Sequence, residues 1–261
     1  MDQTKRRIYL IEKLMAENED LVGYAIPKDG SEQKRLLRAL LNVRAPKPVP
    51  SEFLRVQDAY LKEELAYKHV VGLSDLTPIK GEQLYLWQGD ITTLKVDAIV
   101  NAANSQMLGC FVPGHKCIDN AIHTFAGIQL RSECFDLMKA QGHLEATGQA
   151  KITKAYNLPS KYVIHTVGPI VSGKLTEKHK SLLASSYRSC LELAKQKNLD
   201  SIAFCCISTG EFRFPNEEAA KIAIKTVEEF LAKSQSKMKV VFNVFKESDK
   251  EIYEKFLIQS Q

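Results

Sequence analysis

The 261-residue chain carries a single tryptophan and six cysteines, and no hydrophobic run in it approaches the roughly 18 residues needed to cross a bilayer. A membrane-spanning protein is therefore not expected. Nor is there a concentrated basic stripe. Thirty-six basic and 31 acidic side chains leave a net charge of +5 that is spread along the sequence, so no nucleic-acid partner is expected. The segment from Met1 to Arg7 is followed by Glu12 and Lys13, too soon to leave an apolar stretch of secretory-signal length, and a cytoplasmic location is the default. In such a chain Cys110, Cys117, Cys134, Cys190, Cys205 and Cys206 point to isolated thiols or a metal site rather than a disulfide framework. A hydrophobic content of 44% with 26% charged residues is an ordinary globular balance. The length suits one large domain with an appendage.

Residues 1–80 read as that appendage, a helical extension. Ile8, Ile11, Leu14 and Met15 recur at helical spacing over 5–18, and Leu36, Leu37, Leu40 and Leu41 do so over 31–43, with Ser31 as the candidate cap. The prolines at 46, 48 and 50 stop that second helix, because proline lacks an amide hydrogen and crowds the preceding turn. Ser51-Glu52 opens a third segment running to about Val71. No chemistry is legible here, and a packing or lid role is expected.

Beyond residue 81 strands and helices alternate. Gln83–Trp87, Ala98–Val100, Tyr162–Ile164, Ser201–Ile207 and Lys239–Phe245 read as strands, and 117–140, 176–197, 215–233 and 248–259 as helices. The pattern predicts an α/β fold with helices on both faces of a sheet. Cys205-Cys206 falls inside an apolar run and reads as two small buried hydrophobes rather than a redox pair.

Polar or glycine-containing turns follow four of these strands: Gln88-Gly89-Asp90-Ile91-Thr92, Asn101-Ala102-Ala103-Asn104-Ser105, His165-Thr166-Val167-Gly168-Pro169 and Ser208-Thr209-Gly210-Glu211-Phe212-Arg213-Phe214. The carboxyl edge of an open α/β sheet is where ligands bind. The last turn runs into Pro215 at a helix start, where free backbone amides suit phosphate oxygens. The Asp90 carboxylate suits an amino group such as that of adenine, and Asn101 and Asn104 suit ribose hydroxyls. Plainer roles stay open for each: a strand–helix connection, a capping aspartate, turn-making asparagines.

Gly109-Cys110-Phe111-Val112-Pro113-Gly114-His115-Lys116-Cys117 places two thiols and an imidazole in one short loop with the spacing Cys-x4-His-x-Cys. Zinc favours these ligands, and a Pro-Gly turn lets a short loop wrap an ion. Three local ligands leave a fourth position open, the pattern of a catalytic centre. Asp119, His123 or Cys134 would close it and make the site structural. His123 also reads simply as a core residue.

From about Gly81 onward the chain resembles a macrodomain, the ADP-ribose-binding three-layer α/β/α fold with a central mixed sheet. The resemblance rests on the turns at 88–92, 101–105, 165–169 and 208–210, the strand Val96–Val100, Ile118-Asp119-Asn120-Ala121-Ile122-His123 and Thr147-Gly148-Gln149-Ala150-Lys151-Ile152-Thr153. Where the family commonly has a glycine run after the asparagine motif, this sequence has its cysteine–histidine loop. In that it is similar to the zinc-containing bacterial macrodomains, which also carry an N-terminal helical extension and are associated with a lipoate-dependent sirtuin-type ADP-ribosyltransferase and a lipoylated, glycine-cleavage-H-like carrier protein.

The resemblance implies residues 1–80 as extension and 81–261 as macrodomain. It also implies a hydrolase that removes mono-ADP-ribose from protein by cutting an N- or O-glycosidic bond, with one zinc ion per chain on Cys110, His115 and Cys117. Asp90 and the Ile91 amide would take adenine. Ser208, Thr209, Gly210, Glu211 and Phe212 would form the diphosphate loop, and Asn101 and Asn104 would orient the distal ribose. Asn104 and Asp119 are the catalytic candidates. Glu211 to Phe214 depart from the glycine-rich relatives, although the Arg213 guanidinium could itself contact a phosphate. A reader module without turnover, and a deacylase of acetylated ADP-ribose, are the competing expectations.

Overall fold

The computed structural model describes residues 1–21 and 23–259. Three helices come first: α1 (Gln3–Ala16), α2 (Gly30–Val43) and α3 (Ser51–Ala66). Asp2 caps α1 by accepting from the Lys5 amide. Asp29, not Ser31, caps α2 by accepting from the Glu32 amide. An aspartate two residues before the expected cap won because its carboxylate reaches the free amides of the first turn. The third helix ends at Ala66, short of Val71. The apolar stripes of all three meet in a cluster of their own, including Leu10, Ile11, Leu37, Leu41, Phe53 and Tyr60, joined by Ile128.

The central sheet has seven strands: β2 (Pro78–Lys80), β3 (Leu84–Gln88), β5 (Ala98–Ala102), β6 (Ala150–Lys154), β7 (Tyr162–Thr166), β8 (Ser201–Phe204) and β9 (Lys239–Val244). Their order is β2-β3-β9-β8-β5-β7-β6. The inner five run parallel, and β2 and β6 close the two edges antiparallel, so the sheet is mixed. A separate two-residue ladder pairs β1 (Val71–Gly72) with β4 (Leu94–Lys95). Residues of β5 and β8 are buried on both faces, which explains their unbroken apolar character. The remaining helices are α4 (Ile118–Ala126), α5 (Ile128–Gln141), α6 (Glu177–Gln196), α7 (Asn216–Ser234) and α8 (Glu247–Gln259). Helices cover both sheet faces in three layers. Helix α4 packs on β5 and also against α2, which joins the N-terminal helices to the rest.

Two local expectations need correction. The span 117–140 is two helices, because Gly127 sits at φ +98, and a Cβ there would come within 2.7 Å of Gln57 Nε2 and Gln129 Oε1. The strand at 201 ends at Phe204, so Cys205 and Cys206 lie in the turn beyond it. Cys205 is buried; Cys206 is only partly so, with its thiol on the Asn243 carbonyl.

Candidate active site

Parallel pairing of β3, β9, β8, β5 and β7 places all their carboxyl ends on one edge. The four polar turns therefore converge there, as the sequence pattern predicts.

At one end, Asp90 follows β3. Its Oδ1 accepts from the Thr92 amide at 3.0 Å and the Thr92 hydroxyl at 2.6 Å, and its Oδ2 accepts from Lys68 Nζ at 3.1 Å. Burial acts to raise its pKa, but the Thr92 bonds and the Lys68 charge outweigh it and hold the carboxyl below its usual range. Lys68, just past α3, also sits 3.8 Å from the centre of the Phe125 ring. Ile91 follows with its side chain buried. One strand over, Phe245 is 75% exposed. Its position beside Asp90 is fixed by the Gly89 amide donating to the Val244 carbonyl at 2.9 Å. The sequence reading absorbed Phe245 into a strand. Its signal was its place, an aromatic at the carboxyl end of the last parallel strand.

The middle of the edge is the turn at 208–214. Thr209, Arg213 and Phe214 spend their amides on carbonyls of the turn itself, namely those of Cys206, Gly210 and Ser208. The amides of Gly210, Glu211 and Phe212 meet no protein acceptor among the described residues. Successive free amides of this kind form an anion-binding concavity. Ser208 holds φ +66 and Arg213 φ +56, left-handed conformations that few non-glycine residues adopt. Gly168 permits this shape, since a Cβ there would come 2.1 Å from Ser208 Oγ. A Cβ on Gly210 would meet nothing, so that residue faces open space.

The loop after β5 carries the soft ligands. One donor atom each from Cys110, His115 and Cys117 lies within 4.8 Å of the others, and all three residues are partly exposed. Cys110 Sγ is 3.6 Å from His115 Nδ1. Cys117 is the N-cap of α4, its sulfur accepting from the Asn120 amide at 3.4 Å. Burial, with the neighbouring Cys110 and Asp119 charges adding to it, pushes the Cys117 thiol up to about 12. His115 Nε2 lies 3.5 Å from Glu211 Oε1, so this loop adjoins the anion turn.

Behind it, Asp119 on the first turn of α4 is buried. Asn101 Nδ2 donates to Asp119 Oδ1 at 2.8 Å and to His165 Nδ1 at 3.1 Å. Asn104 Nδ2 donates to the Gly109 carbonyl at 3.1 Å and lies 3.5 Å from Asp119 Oδ2. Burial raises the Asp119 carboxyl to about 6, against the Asn101 bond and the Arg131 charge. Asn101 is thus fully buried, with its Nδ2 on Asp119 and His165 and its Oδ1 without a partner among the described residues, whereas Asn104 is partly exposed. His123 and Cys134, considered above as closing ligands, gather with His165 in a second, fully buried cluster.

Comparison with known proteins bears on what this edge belongs to. Residues 100–223 match the Macro domain family. A protein-ADP-ribose hydrolase of Treponema medium is 58% identical over 98% of this chain and 100% of its own length. One from Staphylococcus aureus (strain MRSA252) is 52% identical over 94% of this chain and 92% of its own. The chain belongs to the macrodomain family. Among solved macrodomains, one from Trypanosoma brucei in complex with ADP-ribose has a TM-score of 0.65 at 33% identity, covering 84% of this chain and 94% of that one. One from Oceanobacillus iheyensis with ADP has a TM-score of 0.61 at 39% identity, covering 68% and 93%.

In this macrodomain the structure therefore brings together Asp90, the turn from Ser208 to Phe212, Asn104 and the three soft ligands along one edge. It sets Asn101 and Asp119 one layer deeper.

Proposed function

We propose that the protein is a zinc-dependent hydrolase that releases mono-ADP-ribose from a modified protein. The observation that carries this reading is the position of Cys110, His115 and Cys117 between the Asn104–Asp119 pair and the anion turn, joined to that turn through His115 and Glu211. The donor set fits zinc: two sulfurs and an imidazole at close range, partly exposed, with no fourth side chain gathered to them among the described residues. Bound there, the ion would supply Lewis acidity beside the distal ribose.

The chain's own residues do the rest. Asp90 accepts from the adenine amino group once Lys68 yields its oxygen, and the exposed Phe245 ring offers a stacking face. Gly210, Glu211 and Phe212 donate backbone amides to the diphosphate. Asn104 orients the ribose hydroxyls. Asp119, kept in one orientation by Asn101, would take a proton of the attacking water as the bond at ribose C1 breaks and the modified side chain departs. Anchoring the ADP moiety at three points makes that attack effectively intramolecular. The resemblance to zinc-containing bacterial macrodomains supports a lipoylated carrier protein, modified by a sirtuin-type ADP-ribosyltransferase, as the substrate. Six unpaired thiols suit the reducing cytoplasm. No helix among the described residues is long and apolar enough to cross a membrane.

The test is metal content and turnover on mono-ADP-ribosylated carrier protein, before and after chelation that leaves the fold intact. One zinc per chain, and loss of ADP-ribose release on its removal, are expected. Undiminished release without metal would overturn zinc dependence. Faster turnover of acetylated ADP-ribose would favour a deacylase.

A further inference from the structure

The loop from Gly109 to Cys117 has little holding it from within. Its own backbone supplies one bond, from the His115 amide to the Val112 carbonyl at 3.2 Å. Gly114 at its tip lies at φ +64, with nothing within 4 Å of where a Cβ would stand, so packing does not fix it either. Asn104 Nδ2 on the Gly109 carbonyl, Asn120 Nδ2 on the Val112 carbonyl at 3.0 Å and Arg131 over the Phe111 ring hold the loop's first half, and α2 holds the stretch at Gly114 and His115. Asn42 Oδ1 accepts from the Gly114 amide at 2.9 Å, while Asn42 Nδ2 donates to Thr124 Oγ1 at 2.9 Å on α4. Arg38 Nη2 donates to the His115 carbonyl at 3.1 Å and to Asn120 Oδ1 at 2.9 Å. Arg38 and Asn42 are four residues apart, hence on one face of α2. Asn42 is buried, so neither of its bonds is easily replaced by water. The two contacts on the loop fall on either side of the His115 Cα, one on the preceding amide and one on its own carbonyl. They hold the backbone from which the imidazole projects.

We propose that Arg38 and Asn42 are positioning residues for the Cys110–His115–Cys117 centre, so that the N-terminal helices form the outer support of the site rather than a separate appendage. This rests on the reading of that trio as a zinc site. Both residues precede residue 100, where the family match begins, so the support comes from outside the matched region. Groups that orient metal ligands at one remove typically change metal affinity by about 10- to 100-fold when lost.

The experiment uses the full chain and the variants Arg38→Ala, Asn42→Ala, Asn42→Asp and Lys34→Ala. Lys34 lies on the same helix and pairs with Glu64 on α3, away from the loop. Two quantities are read: hydrogen exchange of amides 110–117 in metal-free protein, and the Zn2+ dissociation constant by competition with a chromophoric chelator. Arg38→Ala and Asn42→Ala should each speed exchange at residues 114–116 and weaken Zn2+ binding by about 10- to 100-fold. Asn42→Asp, which keeps the oxygen that receives the Gly114 amide but loses the bond to Thr124, should recover part of both, and Lys34→Ala should change neither. If Asn42→Ala lowers the urea midpoint, Arg38→Ala decides. Unchanged exchange and unchanged Zn2+ affinity in both alanine variants would overturn the proposal. Should the wild-type chain bind no Zn2+, the zinc reading falls, while the exchange comparison still decides whether α2 supports the loop.

Discussion

Two triads of soft ligands lie near opposite ends of α4. Cys110, His115 and Cys117 offer two sulfurs and an imidazole; His123, Cys134 and His165 offer two imidazoles and a sulfur. In each triad one donor atom per residue lies within 4.8 Å of the others. Their surroundings differ. The first triad is partly exposed on a loop at the ligand edge. The second is buried throughout, and His165 already uses both ring nitrogens: Nδ1 accepts from Asn101 at 3.1 Å, which leaves Nε2 to donate to Thr153 Oγ1 at 2.9 Å. Burial takes His165 down to about 3 and His123 well below its ordinary value, so both rings are neutral. Closeness of donors therefore does not make a metal centre. Lone pairs left free and a path for the ion do.

The largest effect that separates the triads is expected from Cys110→Ala. Bound zinc should fall from one per chain to none, and ADP-ribose release by about 100-fold or more. Metal analysis with a turnover assay checks both, and zinc retained by this variant but lost from Cys134→Ala would invert the comparison.

Acid should expose the second triad. His123 and His165 have folded values below the unfolded 6.5, so their contribution is fully present above pH 6.5 and is lost as pH falls toward the folded values. Each therefore lowers stability as pH falls through that window. Asp119, with its carboxyl raised to about 6, acts in the opposite sense between about pH 6 and 4 and offsets one histidine. The net expectation is a decline in stability from this cluster as pH falls from about 6 toward about 4.5. Urea midpoints should report it, and His165→Gln should flatten the slope. A wild-type slope as flat as the variant's would show that these rings carry charge in the fold.

The smallest effect is expected from Cys134→Ala, a loss of about 1 kcal/mol of stability with zinc content unchanged. Denaturation and metal analysis of one preparation decide it.

Most of the edge was legible because its signals are local. A glycine or asparagine after an apolar run marks a strand end wherever the strand lies in the sheet, so the turns that carry Asp90, Asn104 and Ser208 to Phe212 are placed on the carboxyl edge by order alone. The spacing of Cys110, His115 and Cys117 is likewise local. What stayed hidden depends on contacts distant in sequence. Lys68 on Asp90 spans 22 positions and Asn42 on Gly114 spans 72. Periodicity says nothing about either. The edge strands β2 and β6 escaped because a strand packed on one side only lacks the continuous apolar run that marks β5 and β8. Asn101 and Asn104 look equivalent in sequence; their different depths follow from strand end against loop.

The sulfur of Cys117 has two duties, since it starts α4 and belongs to the first triad. Oxidation there would not stay local. A sulfinic acid at that position no longer offers the soft lone pair a metal needs, and its bulk disturbs the turn that orients Asp119, Asn120 and, one turn on, His123. Any oxidation that reached this sulfur would thus disturb ligand set and helix start together, reversible by a reductant at the sulfenic stage but not after it.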